Sequence, residues 1–240
     1  MMYNKQEPKT IQAMFDHIAK RYDLTNAVLS CYLHRLWNRR LVKSVRHTQP
    51  FHTLLDLCSG TGDIAFDYLR SIQIPCQAYL VDFSAGMLAH ARRKAASLPQ
   101  SSHVLDYIEA DVQSLPFSDQ MAECATMAYG IRNVKNPTQC FQEVYRVLKP
   151  GGTFGILELT RPQASILRWG HQFYLNYCLP LLGKWLTDNQ DAYQYLCRSI
   201  HTFIAPEEIE QLLQQQGFIS TQRISLLGGT ATILLGKKPS

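Results

Sequence analysis

An α/β fold built on a doubly wound, mostly parallel sheet is what the sequence predicts, and three features of the chain predict it. Short apolar runs alternate with helix-like segments between residues 53 and 159, which is the order that parallel strands joined by crossover helices require. The first of these runs ends in a turn that contains two glycines, and a helix-like segment follows the turn. Near the carboxyl end, two apolar runs flank Gly228-Gly229 and predict an antiparallel strand pair.

The elements can be justified in chain order. Residues 11–46 predict a helical cap or lid, because Ile11, Phe15, Ile18 and Tyr22 recur at helical spacing. The predicted strands are residues 53–57, 77–81, 104–108, 123–129, 153–159, 218–225 and 230–236. The predicted helices are residues 64–71, 85–96, 138–148 and 206–215, and residues 150–152 predict a turn before the fifth strand.

After residue 160 the alternation of strands and helices stops. Residues 161–195 are rich in aromatic side chains and predict a helical insertion before the last helix and strands. We find no internal repeat or linker, and one core can grow to about 250 residues before a chain splits into domains. We therefore expect a single domain over residues 1–240, with the cap at residues 1–50 and the insertion at residues 161–200.

The composition describes an ordinary folded protein and argues against nucleic acid as a partner. Hydrophobic residues make up 46% of the chain, charged residues 18%, and the formal net charge is +5. The basic residues are scattered, and their tightest clusters, at residues 39–46 and 92–94, have the spacing of solvated helix faces. A nucleic-acid-binding protein concentrates such charge in a dense patch. Attraction to an anionic membrane surface is left open.

The cysteines and the apolar segments indicate a cytoplasmic protein. The chain has seven cysteines and no C-x-x-C pair, which argues against a disulfide framework and a metal site, and for a reducing compartment. The polar amino-terminal residues do not form a signal peptide, and polar residues interrupt the apolar stretch at residues 166–186. The expectation is a soluble protein, with peripheral contact at the inner face of the membrane and homo-oligomer formation left open.

The turn after the first predicted strand is the candidate cofactor site. It reads Leu55-Asp-Leu-Cys-Ser-Gly-Thr-Gly-Asp63, and its glycines let the backbone approach a ligand closely. The third glycine of a dinucleotide-binding fingerprint is absent, because Ala65 stands in its place. Asp56 and Asp63 would repel a pyrophosphate but would favour the sulfonium and ammonium groups of S-adenosylmethionine. The turn therefore predicts S-adenosylmethionine as the cofactor.

Acidic residues at the next two strand ends extend this site. Asp82 is placed to accept hydrogen bonds from both ribose hydroxyls, and Asp111 can contact the adenine edge. Taken singly, Asp63 also fits a helix N-cap and Asp82 a turn residue, but acids at successive strand ends favour a nucleoside site. The residues predicted to bind the cofactor are Asp56, Gly60, Thr61, Gly62, Asp82, Phe83, Met87, Asp111, Val112 and Ala128.

Several segments carry a family resemblance. The glycine turn and the segments at residues 110–117 and 145–152 occur in many class I methyltransferases, which share a Rossmann-like fold. More specific segments are Phe15-Asp-x-Ile-Ala-x-Arg-Tyr-Asp23, His34-Arg-Leu-Trp37, Tyr129-Gly-Ile-Arg-Asn133, Pro180-Leu-Leu-Gly-Lys184 and Asp191-x-Tyr-Gln-Tyr195. With these segments the chain resembles the ubiquinone/menaquinone C-methyltransferase family over almost its full length. It departs from the family at Ser59, where glycine is common and where a serine requires a negative φ.

The resemblance implies transfer of a methyl group from S-adenosylmethionine to a ring carbon of a polyprenylated quinol. Demethylmenaquinol is favoured, and the benzoquinol of ubiquinone biosynthesis is the alternative. Arg132 is the first candidate for stabilising the ring oxyanion, and Tyr22 for hydrogen bonding to the ring oxygen or cofactor. Arg132 also fits a structural ion pair, and Tyr22 a core aromatic. For His17 and His34 a structural role, solvent-facing in the case of His34, is favoured over proton acceptance.

The aromatic insertion is the predicted binding surface for the prenyl tail. Apolar side chains recur there at near-helical spacing, a pattern that also fits an ordinary core helix. They are Trp169, Phe173, Tyr174, Tyr177, Leu181, Leu182 and Trp185.

Three other classes of protein compete with this prediction. A nicotinamide-dependent oxidoreductase shares the fold, but the absent third glycine and Asp63 count against it. An RNA methyltransferase would carry a basic patch with stacking aromatics, which we do not find. A binding or scaffold protein without activity would be expected to lose Asp56, Asp82 and Asp111, and all three are present.

Overall fold

The computed structural model describes residues 6–19, 22–46, 51–96, 102–178 and 190–240. The helices in these ranges are α1 Pro8–Ile18, α2 Tyr22–Leu29, α3 Leu33–Val45, α4 Asp63–Arg70, α5 Ala85–Ala95, α6 Pro137–Val147, α7 Ser165–Phe173, α8 Gln190–Thr202 and α9 Pro206–Gln215. The strands are β1 Thr53–Leu57, β2 Gln77–Asp82, β3 Val104–Glu109, β4 Ala122–Ala128, β5 Leu148–Leu159, β6 Ile219–Leu226 and β7 Ala231–Lys237.

The strands form one sheet in the order β3-β2-β1-β4-β5-β7-β6. Neighbours from β3 to β5 are parallel, and β7 runs antiparallel to both β5 and β6. The strand order reverses between β1 and β4, where Asp56 lies opposite Thr126. In such sheets ligands bind beyond the carboxyl ends of the strands at this reversal. The predicted Rossmann-like fold, mostly parallel with antiparallel strands at its carboxyl end, is confirmed.

Helices cover both faces of the sheet. On one face α3, α4 and α5 bury Leu41, Phe66 and Leu88. On the other face α6 and α9 bury Phe141 and Leu213. The central strands β1 and β4 are buried almost throughout, which explains why their sequences are nearly continuous apolar runs with no alternation of polar residues.

Gly155 in β5 sets how closely α3 approaches the sheet. A Cβ atom on Gly155 would lie 2.4 Å from Cγ1 of Val45 and 3.0 Å from Cδ1 of Leu41. These separations are shorter than carbon atoms in contact allow, so α3 can pack here only because residue 155 has no side chain. The third helix of the predicted cap is therefore part of the main hydrophobic core.

The predicted helical region at residues 11–46 consists of three helices. Between α2 and α3, Cys31 and Tyr32 have φ angles of 47° and 63°. A left-handed backbone cannot continue a right-handed helix, so the chain changes direction at these two residues. Apolar spacing carries no signal for such angles, and the prediction did not include this break.

The fifth strand begins earlier than predicted. β5 starts at Leu148, and the predicted turn at residues 150–152 is wrong. Ala122 of β4 pairs with Leu148 of β5, and Cys124 pairs with Thr153. Residues 149–152 of β5 are therefore more numerous than the β4 residues opposite them and form an irregularity within the strand. Gly151 has a φ of +75°, which a glycine adopts without strain.

Part of the predicted insertion lies outside the described residues. This includes residues 180–184 and the side chains of Leu181, Leu182 and Trp185. The described part is helical, as predicted, and comprises α7, a π-helical turn at Tyr174–Cys178 and α8. Within the described ranges, no helix combines the length and the hydropathy that crossing a membrane requires. The limits of the cap, the insertion and the single domain stay predictions.

Candidate active site

A cavity opens beyond the carboxyl ends of the central strands, at the reversal of strand order. Its lining includes seven of the predicted cofactor residues, namely Gly60, Asp82, Phe83, Met87, Asp111, Val112 and Ala128. A smaller cavity shares Gly60 and Ala128 with it and is also lined by Asp56 and Thr61. The fold therefore brings nearly the whole predicted set to one site, which we call the cofactor cavity.

Gly62 is the member of the predicted set that does not line the cofactor cavity. It has a φ of +84°, and a Cβ atom there would lie 2.7 Å from the ring of Phe66 and 2.9 Å from Leu80. Gly62 is thus required for the tight connection of the turn to α4, and its contribution to the site is indirect.

The turns after β1 and β4 touch at the edge of the cofactor cavity. A Cβ atom on Gly130 would lie 2.5 Å from Cβ of Cys58, so the backbone of the turn after β4 packs directly against the Cys58 side chain of the turn after β1. Cys58 and Tyr129 line the cavity with left-handed φ angles of 51° and 58°. Strained non-glycine residues of this kind cluster at functional sites. Ser59 is not among the residues with positive φ, so the departure from the family pattern is compatible with the turn.

Two buried carboxyl groups border the cofactor cavity. Asp56 is 1% exposed and Asp82 is 5% exposed. Burial raises the pKa of Asp56 to about 7 and that of Asp82 to about 6, although hydrogen bonds to each carboxylate act in the opposite direction. A cation bound beside these groups would favour their ionised forms. The site therefore provides buried negative charge for a cationic ligand.

The carboxylate of Asp82 also organises the glycine turn. Its Oδ2 accepts a hydrogen bond from the Gly60 amide at 2.8 Å, and its Oδ1 accepts one from the Ser84 amide at 2.9 Å. A carboxylate oxygen accepts more than one hydrogen bond, so ribose hydroxyls can still bind. Asp111 is exposed and lies two residues beyond the end of β3, where its Oδ1 accepts from the Gln113 amide at 2.9 Å.

The first helix of the cap contributes residues that the sequence prediction missed. Oδ1 of Asp16 accepts from Ser84 Oγ at 2.5 Å and from the Gly86 amide at 3.1 Å, which connects α1 to the start of α5. Phe15 lines the cofactor cavity and meets the ring of Phe83 edge to face, with centroids 6.2 Å apart. Both residues belong to the Phe15–Asp23 segment of the family resemblance, which was the available signal.

The second helix of the cap is attached by charged groups. Thr61 Oγ1 donates to Asp23 Oδ1 at 2.5 Å, and Lys94 Nζ lies 2.8 Å from Asp23 Oδ2. Lys94 also pairs with Asp63. The alternative role of Asp63 as an N-cap is wrong, because the N-cap of α4 is Gly62. That Lys94 joins these elements was not predicted, since its two partners are distant along the chain.

A second cavity adjoins the first, and we call it the apolar chamber. It encloses about 520 Å³ and is lined mainly by apolar side chains from α2, α3, α7 and the β6–β7 turn. Tyr22 and Tyr129 line both cavities. Burial raises the pKa of both phenols, so both side chains stay protonated at neutral pH. A volume of this size is typical of a small-molecule site.

Arg132 lines the apolar chamber and is 8% exposed. Its Nη1 donates to Glu158 Oε1 and to the Tyr129 carbonyl, both at 2.6 Å. Burial is the largest effect and opposes the charge of the guanidinium, but the ion pair with Glu158, together with Tyr22 and Tyr195, raises the pKa of Arg132. Nε of Arg132 is buried without a hydrogen-bond partner among the described residues. The structural ion pair and a free donor therefore coexist in this side chain.

The favoured solvent-facing role of His34 is wrong. The side chain is 7% exposed and lines both the apolar chamber and the smaller part of the cofactor cavity. Its Nδ1 lies 2.7 Å from Ser30 Oγ, and burial lowers the pKa of the imidazole. Because α3 follows the left-handed break after α2, the face of α3 that carries His34 turns inward. The sequence alone did not show this break.

The aromatic residues of α7 divide between two sides of the helix. Tyr174, directly after α7, lines the apolar chamber as predicted. Trp169, Phe173 and Tyr177 do not line it but are 70%, 50% and 61% exposed, and their rings contact one another in sequence. The chamber is lined from α7 by other residues, namely Ile166, Leu167, Gly170 and His171. The predicted tail surface is therefore corrected at these three aromatic positions.

Comparison with known proteins identifies the family of the chain. Residues 1–238 match the model of the ubiE/COQ5 methyltransferase family. The chain is 63% identical over 99% of its length to a demethylmenaquinone methyltransferase of Protochlamydia amoebophila, of which it covers 98%. Among solved structures, a S-adenosylmethionine-dependent methyltransferase from Thermotoga maritima, described as a possible histamine N-methyltransferase, matches with a TM-score of 0.64 and 18% identity over 94% of this chain and 98% of that one.

A second solved structure is phosphoethanolamine N-methyltransferase 2 of Haemonchus contortus in complex with S-adenosylmethionine. It matches with a TM-score of 0.62 and 15% identity, over 85% of this chain and 52% of that chain. The two structures support the fold alone, whereas the family model and the bacterial relative extend over the whole chain. This chain belongs to the ubiE/COQ5 methyltransferase family.

Proposed function

We propose that this chain transfers the methyl group of S-adenosylmethionine to a ring carbon of a polyprenylated quinol, and that the quinol is demethylmenaquinol. The observation that carries the proposal is the junction of the two cavities at Tyr22 and Tyr129. One cavity has the acids and the glycine turn that suit a cationic nucleoside, and the other is apolar and large enough for a bicyclic ring. Two ligands bound in these cavities would meet at this junction.

The residues of the cofactor cavity fit S-adenosylmethionine. Asp82 would hold the ribose, and Asp56 would favour the positively charged methionine end. The apolar wall formed by Phe83, Met87 and Val112 suits the adenine ring. When bound, the cofactor supplies an activated methyl group, and the protein supplies the position from which it is taken.

Arg132 is proposed to stabilise the oxyanion that makes the ring carbon nucleophilic. Its unpartnered Nε lies on a side chain that borders the apolar chamber, and its ion pair with Glu158 fixes the guanidinium in place. A buried, preorganised cation of this kind stabilises developing negative charge far more than water does. Tyr22, on the boundary of the two cavities, is proposed to donate a hydrogen bond to the ring oxygen.

The test is a methyl-transfer assay with labelled S-adenosylmethionine and two reduced acceptors, a demethylmenaquinone analogue and a benzoquinol precursor. We expect label in the naphthoquinol, because the relative at 63% identity is a demethylmenaquinone methyltransferase. Label in the benzoquinol alone would show that the substrate is the benzoquinol and not demethylmenaquinol. Label in both acceptors would mean dual specificity. Absence of label from both, with cofactor binding confirmed by calorimetry, would refute the quinol assignment.

We propose further that the outward aromatic face of α7 contacts the surface of the membrane. Trp169, Phe173 and Tyr177 are exposed, and the neighbouring Ile166, which lines the apolar chamber, is 81% exposed. Tryptophan and tyrosine are enriched where a bilayer meets water. If the quinol ring is bound in the chamber, its prenyl tail would then emerge from the protein next to the bilayer. The protein would be cytoplasmic and attached to the membrane peripherally.

Binding to vesicles tests the membrane contact. We expect the variant Trp169→Ser with Phe173→Ser to lose most of its sedimentation with vesicles of phosphatidylglycerol and phosphatidylethanolamine. The control is Val104→Ser, since Val104 is 54% exposed on β3, at the far edge of the sheet. Equal sedimentation of the double variant and the wild type would exclude α7 as the contact.

A further inference from the structure

We infer that His34 is the base that accepts the proton of the quinol hydroxyl, and that Ser30 sets its tautomer; this rests on the proposed function. The imidazole is buried where the cofactor cavity and the apolar chamber meet, among the few groups that line both. Methylation at carbon needs the neighbouring hydroxyl to lose its proton, and Arg132 remains charged and cannot take it. A neutral imidazole at the junction is suited to this step.

The hydrogen bonds around Ser30 determine which ring nitrogen carries the proton. Ser30 Oγ lies 2.6 Å from the carbonyl oxygen of Asn26, a separation at which the hydroxyl hydrogen must lie between the two oxygens. The same Oγ lies 2.7 Å from Nδ1 of His34. Since the Ser30 hydroxyl donates its hydrogen to the Asn26 carbonyl, the proton in the bond between Ser30 Oγ and His34 must be carried by Nδ1. Nε2 is then the unprotonated nitrogen, and no described residue forms a hydrogen bond with it.

Burial keeps this imidazole neutral. The charged and titratable groups near His34 are of both signs. Asp23 of α2, Arg35 of α3, Asp63 of α4 and Lys94 of α5 act on it electrostatically. The two cavities that it lines also hold Tyr22, Cys31, Asp56, Cys58, Tyr129, Arg132 and His171. Desolvation is the largest effect and lowers the pKa of His34 below its ordinary value of 6.5. At neutral pH the side chain is therefore ready to accept a proton.

The step balances in atoms and electrons. Nε2 of His34 takes the hydroxyl proton, and the electron pair of the broken O–H bond is delocalised to the ring carbon. That carbon forms a bond to the methyl group, while the electron pair of the broken methyl–sulfur bond stays on sulfur. The hydrogen originally on the ring carbon leaves as a proton, which restores the aromatic ring. His34 returns its proton to the product oxygen, and the proton from the ring carbon passes to solvent, so one proton is formed per methyl transferred.

Kinetics of His34→Gln and Ser30→Ala test the inference with the full chain. For His34→Gln we expect kcat to fall by ~10²–10⁴-fold, the usual effect of losing a general base, while the Kd of S-adenosylmethionine changes little. In the wild type at saturating S-adenosylmethionine, kcat/KM for the quinol falls as pH drops through the pKa of His34, because the protonated ring accepts nothing, and this acid limb should vanish in His34→Gln. Ser30→Ala should lose less activity and shift the limb, because the ring remains but its tautomer is no longer fixed.

Two further measurements separate a base from a structural residue. Added imidazole should restore activity to His34→Ala but leave His34→Gln unchanged, since only the alanine variant leaves space. Nitrogen NMR of the ligand-free protein should show the Nδ1–H tautomer of His34. Retention of more than one tenth of the activity by His34→Gln, with the acid limb intact, would overturn the inference. An inactive wild type on both quinols would instead refute the proposed function itself.

Discussion

Replacing Asp56 by Asn should stabilise the ligand-free protein at alkaline pH. The carboxyl group is buried, its Oδ1 accepts from Thr126 Oγ1 at 2.9 Å, and its Oδ2 accepts from the Ala65 amide at 3.1 Å. Asn can keep both contacts if its oxygen faces the amide and its nitrogen donates to Thr126. The Thr126 hydroxyl would then donate to the Leu55 carbonyl, which already lies 3.5 Å away. The substitution thus removes a buried charge and keeps both hydrogen bonds of the side chain.

The magnitude follows from the raised pKa. With a pKa of about 7 in the folded protein and an ordinary value of 3.8, ionisation of Asp56 opposes folding. This penalty is absent below the lower pKa, grows as pH rises, and is complete above the higher one. Each unit of pKa corresponds to about 1.4 kcal/mol, so the full penalty is about 4 kcal/mol. Between pH 5.5 and pH 8 the penalty grows by about 2 kcal/mol.

Urea denaturation of the ligand-free protein at these two pH values measures the effect. The free energy of unfolding of Asp56→Asn, minus that of the wild type, should be positive and should grow by about 2 kcal/mol from pH 5.5 to pH 8. The control Asp106→Asn, which changes an exposed carboxylate on β3, should show a difference near zero at both. The same Asp56 variant should bind S-adenosylmethionine at least ~10-fold more weakly, because the methionine end loses a negative neighbour. A pH-independent difference in stability would refute the reasoning.

Three other predictions follow from the site and the core. Glu158→Gln should lower the free energy of unfolding by about 3–5 kcal/mol in urea denaturation, because it leaves the buried charge of Arg132 without its partner. The affinity for S-adenosylmethionine, measured by calorimetry, should fall as pH drops through the pKa of Asp82 at about 6, because the protonated carboxyl accepts ribose hydrogen bonds poorly; Asp82→Asn should make this pH dependence weaker and leave the part that comes from Asp56. Gly155→Ala should destabilise the fold by about 1–3 kcal/mol, because its Cβ would overlap Val45.

The two predictions on stability each have a matched control. Glu123→Gln, in the more exposed pair with Lys149, should change the stability by less than about 1 kcal/mol. Gly170→Ala should be neutral or slightly stabilising, because its Cβ meets no atom within 4 Å and alanine favours the helix. A Gly155→Ala variant as stable as Gly170→Ala would contradict the tight packing of α3, and an affinity that is constant from pH 5 to pH 8 would contradict the role of Asp82.

The parallel core could be predicted because its signals are local. Buried parallel strands are continuous apolar runs. β1 ends at Leu57, just before the predicted glycine turn, and β2 ends at Asp82, the residue predicted to close it. The acids at the strand ends then had to meet, since parallel strands end at the same edge of the sheet. Nearly all of the predicted cofactor residues lie at one cavity for this reason, and the position of the cap does not affect it.

The rest of the site depended on contacts between distant segments. His34 is buried because two left-handed residues, Cys31 and Tyr32, turn α3 inward, and no apolar periodicity encodes such angles. Arg132 forms an ion pair with Glu158 and also has a buried Nε without a partner among the described residues. From the sequence, a structural ion pair and a catalytic role were alternatives, because Glu158 lies far from Arg132 along the chain. In α7 the helical spacing was clear, but spacing does not tell which side faces the protein.

The contacts that attach the cap to the core have a consequence for turnover. Asp23 accepts a hydrogen bond from Thr61, in the turn that lines the cofactor cavity, and pairs with Lys94; the side chains of Asp23 and Lys94 are partly exposed. Exposed ion pairs are weak and exchange readily with water and dissolved ions. Higher ionic strength should therefore speed the exchange of spent cofactor for fresh cofactor while leaving the chemical step unaffected. The protein can in this way keep solvent from the reacting atoms during methyl transfer and still release its product within each cycle.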